Sequence, residues 1–138
     1  PARAELQRQL PSAIFTGMLQ GAELATAYAS LDVFVHTGDS ETFCQTIQEA
    51  QASGVPVVAP ASGGPLDLIE HDANGLLFDP TDLSSLRDRV ARLVASPALG
   101  RRLAERGRVT VAGRSWASVV AELVGHYRCV VDAPAAVA

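Results

Sequence analysis

Apolar residues along the chain fall into short uniform runs separated by longer stretches with helical spacing. Ala13-Ile-Phe-Thr16, Val33-Phe-Val-His-Thr37, Val55-Pro-Val-Val-Ala59 and Leu76-Leu-Phe78 are almost uninterrupted by polar side chains. That pattern predicts strands covered on both faces, as in a parallel sheet, rather than strands with one wet side. Between them, Leu24, Ala27, Tyr28 and Leu31 recur at three- and four-residue intervals, as do Phe43, Ile47 and Ala50, and each set predicts a helix with one buried stripe. Residues 3 to 9 read as the end of a further helix. Beyond Phe78 the chain turns helical: Leu83, Leu86, Val90 and Leu93 mark one helix ended at Pro97, and Leu99 and Leu103 begin another. Ser115 is placed to cap a last helix whose apolar face includes Val119, Val120, Leu123, Val124 and Tyr127, with Trp116 packed in the same helical layer. The fold class is therefore α/β, a Rossmann-like parallel sheet with an all-helical C-terminal portion.

Breakers sharpen this plan. Gly54 stops the helix after the second strand, Pro65 suits a first helical turn ahead of Leu68 and Ile69, and Asn74-Gly75 marks the turn into the last strand. Thr42 and Gln45 match a capping box, which predicts a helix from Phe43 to Ser53. In open parallel sheets ligands bind beyond the carboxyl ends of the strands. The loops at Gly17, at Thr37 to Thr42 and at Ala61 to Gly64 all follow strands, so they are expected to converge on one edge.

The chemistry of that edge centres on Glu41 and Glu49, which flank the start of the predicted helix with seven residues between them. Amides around Thr42, Phe43 and Cys44 would point out of its N-terminus with partial positive charge, a suitable seat for a diphosphate. Eight residues at a helical rise span roughly 12 Å, comparable to the reach from the sugar to the ribose of a nucleotide sugar. Carboxylates accept strongly from sugar hydroxyls, at about 1.5–3 kcal/mol per charge-assisted bond. Spacing alone favours the plainer reading of one Glu near a cap and one solvated Glu, over a ligand pair. Gly63 and Gly64 either let the backbone approach a ligand or make a tight turn before Pro65, and Gly17 ends a strand. His36 closes an apolar strand, either as a satisfied sheet-edge residue or looking into the site.

Composition removes several alternatives. At 138 residues the chain makes one domain, able to bury roughly two-thirds of its unfolded surface. With 48% apolar residues and a formal charge of −4 it reads as a globular chain, and no run approaches the ~20 apolar residues needed to cross a bilayer. No signal peptide is evident, and a start at Pro1 rather than Met is expected of a piece of a longer polypeptide. All basic residues are arginine. Arg101, Arg102, Arg106, Arg108 and Arg114 cluster near the C-terminus, but without aromatic platforms they predict a solvated helix face and no nucleic-acid partner. Cys44 and Cys129 lack the repeated spacing of a zinc site and are expected as reduced thiols. Cys44 is either a small buried filler or, beside a helix N-terminus, a thiol of lowered pKa. His71 and His126 read as surface or packing residues. No nucleophile elbow, catalytic triad or P-loop is present.

From Phe15-Thr-Gly17 through Asp32-Val-Phe-Val-His36, Glu41-Thr-Phe43, Glu49-Ala50, Gly54-Val-Pro-Val-Val-Ala59 and Gly63-Gly64 to Asn74-Gly-Leu-Leu-Phe78, the chain resembles the C-terminal, donor-binding domain of family-4 glycosyltransferases. These are retaining enzymes of the GT-B fold. The wording Glu41-Thr-Phe-Cys-Gln-Thr-Ile-Gln-Glu-Ala50, followed by Gly63-Gly-Pro-Leu-Asp67, is similar to actinobacterial mannosyltransferases that use GDP-mannose in glycolipid synthesis.

The resemblance implies a nucleotide-sugar-binding domain over residues 1–132, without its first strand and the N-terminal acceptor domain, and a frayed tail over 133–138. It implies that Glu41 meets hydroxyls of the transferred sugar as the catalytic-site carboxylate and that Glu49 meets the ribose. Thr42, Phe43 and Cys44 would meet the diphosphate, Gly63 and Gly64 the donor, and Gly17 the region of the base. Neither Glu need be a nucleophile, because the donor phosphate takes the acceptor proton in such enzymes; the paired-carboxylate glycosidase mechanism is the wrong analogy. No metal or other cofactor is implied, and no Asp-x-Asp pair appears. The donor would be GDP-mannose rather than a UDP-sugar. A lipid or glycan acceptor would bind through the absent N-terminal domain, and the whole protein would be cytoplasmic, peripheral on the inner face of the plasma membrane.

The chain departs from the family in several places. Cys44 stands where relatives usually have glycine and Asp67 where many have Glu. The Arg and Lys that clamp the diphosphate before Phe15 have no counterpart beyond Arg3 and Arg8. This polypeptide alone is therefore expected to be inactive, and the alternative is a non-catalytic nucleotide-binding module or one subunit of a two-chain transferase. The surface a partner domain would cover makes self-association a risk.

Overall fold

The computed structural model describes residues 2–131. The frayed tail expected over 133–138 lies outside that range. Elements follow in the order α1 (Ala2–Gln9), α2 (Gly21–Ala29), β1 (Phe34–Val35), α3 (Gln45–Ala52), β2 (Val57–Pro60), α4 (Pro65–Leu68), β3 (Leu76–Phe78), α5 (Leu83–Ala95), α6 (Pro97–Ala112) and α7 (Trp116–Val131). The strands form one parallel sheet in the order β1-β2-β3, with Phe34 beside Val57 and Val58 beside Leu76.

Alternation along β2 explains why every position in it is buried. Val57 and Ala59 join a core made with Tyr28, Ile47, Ala50, Leu68 and Ile69 from α2, α3 and the α4 region. Val58 points the other way, into a core with Leu76, Phe78, Leu93 and Leu103 that α5 and α6 close. The sheet is thus covered on both faces, as its uniformly apolar runs require. Pro65 opens α4, and the Ser115 hydroxyl accepts the Ser118 N–H at 3.1 Å at the head of α7, both as expected from sequence.

The expected strand at Ala13–Thr16 does not form. Ile14 is left 90% exposed. The segment instead takes a polar anchor, the Arg3 guanidinium donating to the Phe15 carbonyl at 3.1 Å and lying over its ring. α7 also departs from expectation. Val120, Leu123, Val124 and Tyr127 are exposed and the helix buries no residue. No helix among the described residues is long and apolar enough to cross a membrane.

Candidate functional site

Loop 37–44 leaves the sheet after His36, whose N–H donates to the Val58 carbonyl at 2.9 Å. It is clasped by the loop after β2. The Gly64 N–H donates to the Glu41 carbonyl at 2.8 Å, and the Ser62 hydroxyl donates to the Asp39 carbonyl at 3.1 Å. A Cβ on Gly64 would lie 2.4 Å from the Thr42 carbonyl oxygen, and one on Gly63 2.9 Å from that of Glu41. Gly63 also has φ +57°. These two glycines therefore let one loop lie on the other, which fixes the backbone of Glu41 and Thr42.

The loop enters α3 through Cys44, whose backbone is left-handed (φ 49°, ψ 50°) and which makes no side-chain cap. The expected capping box is absent for that reason. A left-handed residue between Thr42 and Gln45 interrupts helical phase, the helix begins at Gln45, and Gln45 donates instead to Glu49 at 3.0 Å. The same break removes Phe43 from the buried stripe. Ile47 and Ala50 are fully buried, whereas Phe43 is 47% exposed and stacks on Trp116, ring centroids 6.2 Å apart. Trp116, expected within the C-terminal helical layer, is itself exposed. Among the described residues no acceptor takes the amides of Thr42, Phe43 or Cys44, which leaves them available to an anion.

Glu41 is exposed beside two buried partners. Its carboxylate lies 3.8 Å from His36 Nε2, and that nitrogen is buried without a hydrogen bond. His36 is thus no satisfied sheet-edge residue. It faces the loop, where Gly38 leaves it room: a Cβ there would sit 3.1 Å from Nε2. Burial, and then the Glu41 carboxylate, push the Cys44 thiol above its ordinary pKa, the reverse of the lowering a helix N-terminus would give. Both cysteines are free thiols, Cys44 buried and Cys129 exposed.

Glu49 is half-buried on α3, steadied by Gln45. It stands beside Tyr28, whose hydroxyl is pushed up to about 12 by burial and then by this carboxylate. It opens on a cleft of about 220 Å³ that Phe43, Gln48, Arg114, Trp116 and Val119 help to wall. The structure thus brings Glu41, Thr42, Cys44, Gly63 and Gly64 together at the loop, with Phe43 linking it to the Glu49 cleft. Gly17 takes no part in that packing. A Cβ there would meet nothing within 4 Å, and the residue lines a separate cleft with Arg3, Leu6 and Phe15. Arg3 is engaged by Phe15 and Arg8 by Glu5. His71 accepts the Leu77 N–H, and His126 pairs with Glu122 on the surface of α7. The part of Trp116 is not legible in the sequence, because helical spacing places its partner Phe43 in the buried stripe.

The model of the group 1 glycosyl transferases matches residues 3–110. The chain belongs to this family. It is 52% identical over 129 residues to a GDP-mannose-dependent alpha-mannosyltransferase of Mycolicibacterium smegmatis, covering 93% of this chain and 34% of that protein. It is 53% identical to the protein of the same description from Mycobacterium tuberculosis, with 93% and 33% covered. The chain therefore spans about a third of the length of these relatives. The sucrose-phosphate synthase structure from Thermosynechococcus elongatus superposes with a TM-score of 0.82 at 29% identity, over 96% of this chain and 34% of that one. The α/β fold with its parallel sheet is thus that of the glycosyltransferase family.

Proposed function

We propose that this chain is the donor-binding part of a retaining transferase that moves mannose from GDP-mannose to a lipid or glycan acceptor. The observation that carries this reading is identity above one half, across nearly the whole chain, to proteins named for dependence on GDP-mannose. The geometry supports it. Free amides at Thr42 to Cys44 offer a seat for the diphosphate, with the Thr42 hydroxyl beside them, and the exposed Glu41 carboxylate offers an acceptor for hexose hydroxyls. Glu49, at the cleft beneath Phe43, offers an acceptor for the ribose. The fixed loop backbone sets where Glu41 starts from, so on binding only its exposed side chain has to settle.

In this mechanism the donor is held by one carboxylate at each end and by amides between them. Developing charge on the departing diphosphate is stabilised by those amides, while the phosphate itself accepts the proton of the attacking hydroxyl. Glu41 orients the sugar through hydrogen bonds and forms no covalent bond to it. No metal is called for, the acceptor binds through residues outside this chain, and the complete protein works at the cytoplasmic membrane surface. The test is transfer of labelled mannose by the complete protein. GDP-mannose should support turnover, UDP-sugars should not, Glu41→Ala should reduce the rate at least a hundredfold, and this chain alone should give none. Turnover with a UDP-sugar but not GDP-mannose would overturn the assignment.

A further inference from the structure

We infer that His36, Glu41 and Cys44 form a binding site for one thiophilic divalent cation of the zinc class, and that a cation held there excludes the sugar end of the donor. His36 Nε2, a Glu41 carboxylate oxygen and Cys44 Sγ all lie within 4.8 Å of one another. Two ligands on a tetrahedral zinc are roughly 3.3–3.8 Å apart, given bonds of about 2.0–2.3 Å. The His36 to Glu41 separation is already 3.8 Å, and the exposed Glu41 side chain is free to close the remaining gap.

Independent support comes from His36 itself. The residue is 9% exposed, and its Nε2 is buried with no hydrogen-bond partner, aimed at the carboxylate. A buried imidazole nitrogen without a partner is uncommon, and a cation would supply one. The donors are also held in place by packing. A Cβ on Gly38 would press on the imidazole at 3.1 Å, and one on Gly64 would press on Cys44 Sγ at 3.0 Å. Thiolate with imidazole and one carboxylate selects zinc-like ions over magnesium or calcium. On binding, the Cys44 thiol gives its proton to solvent and the thiolate takes the metal. The exposed side of Glu41 leaves a fourth position for water.

Exclusion of the sugar rests on the proposed function, because it assumes that Glu41 serves the sugar; cation binding does not depend on it. Cobalt(II) is the probe, titrated into this chain under reducing, chelator-free conditions. One equivalent should bind with a thiolate-to-cobalt absorption band that zinc abolishes by displacement. Cys129→Ser should keep the band, Cys44→Ser should lose it, and the exposed Glu41→Ala, which leaves the core untouched, should weaken binding tenfold or more. Zinc should weaken GDP-mannose binding at least tenfold in the unmodified chain and leave it unchanged in His36→Gln. No band, or a band that survives Cys44→Ser, overturns the site. A bound cation with GDP-mannose affinity unaltered overturns the exclusion. Failure of GDP-mannose to bind without any metal overturns the donor reading and leaves the cation site standing on its absorption band.

Discussion

Glu41 and Glu49 belong to one short stretch of chain, yet the protein holds them in opposite ways. Around Glu41 the backbone is clamped, with Gly63 and Gly64 pressed against the carbonyls of Glu41 and Thr42, while the carboxylate itself stands in solvent. Around Glu49 the backbone is ordinary helix and the side chain is what is held, by Gln45 and by a neighbouring Tyr28. The first end is built by loop-on-loop contact that only glycine permits. The second is built by side chains on a helix. Substitutions should therefore separate, with stability effects greatest at the first end and ligand effects cleanest at the second.

Gly64→Ala should be the largest effect, because the added carbon meets backbone oxygen at 2.4 Å rather than a side chain that can swing away. Urea unfolding should show a loss of about 3 kcal/mol or more. Gly113→Ala, where a Cβ meets nothing within 4 Å, should stay within about 0.5 kcal/mol. Equal losses would break the comparison.

Glu49→Ala should weaken GDP binding by about 1.5 kcal/mol or more, roughly tenfold, with little change in unfolding. Trp116, the single tryptophan of the chain, lines the cleft and gives a fluorescence readout. A smaller effect isolates the backbone at Cys44. Cys44→Gly should be more stable than Cys44→Ala by about 1 kcal/mol, since both delete the thiol and only glycine is at ease in a left-handed position.

The mildest effect is seen only in alkali. Tyr28 ionises near 10 when unfolded and at about 12 in the fold, so between those values the unfolded chain has lost a proton that the folded chain keeps. Stability from this group is full below pH 10 and is lost as pH rises toward 12. The fall should be steeper in the unmodified chain than in Tyr28→Phe, by chemical denaturation across that window.

Much of this architecture was legible because it rests on short-range rules. β3 lies where Leu76-Leu-Phe78 predicted it, Pro65 starts α4, Ser115 caps α7, and Ile47 and Ala50 face the sheet. What failed was governed by contacts distant in sequence. The left-handed turn at Cys44 lies against Gly64, and no periodicity reports it, so spacing alone places Phe43 in the core and Thr42 in a capping box. His36 was recognisable as a strand-end histidine, but its missing partner follows only from how loop 37–44 folds over it. The apolar face of α7 was read correctly as a pattern, and the pattern alone does not say that the face is exposed.

The central claim is that the loop before α3 and the Glu49 cleft together hold a nucleoside diphosphate sugar. The direct measurement is an NMR titration of this chain with GDP and then UDP. Shifts confined to the amides of Thr42 to Cys44 and to residues around Glu49 and Trp116, larger with GDP than with UDP, are the predicted result. A folded spectrum unmoved by either nucleotide, or moved only around Gly17 and Arg3, would contradict it.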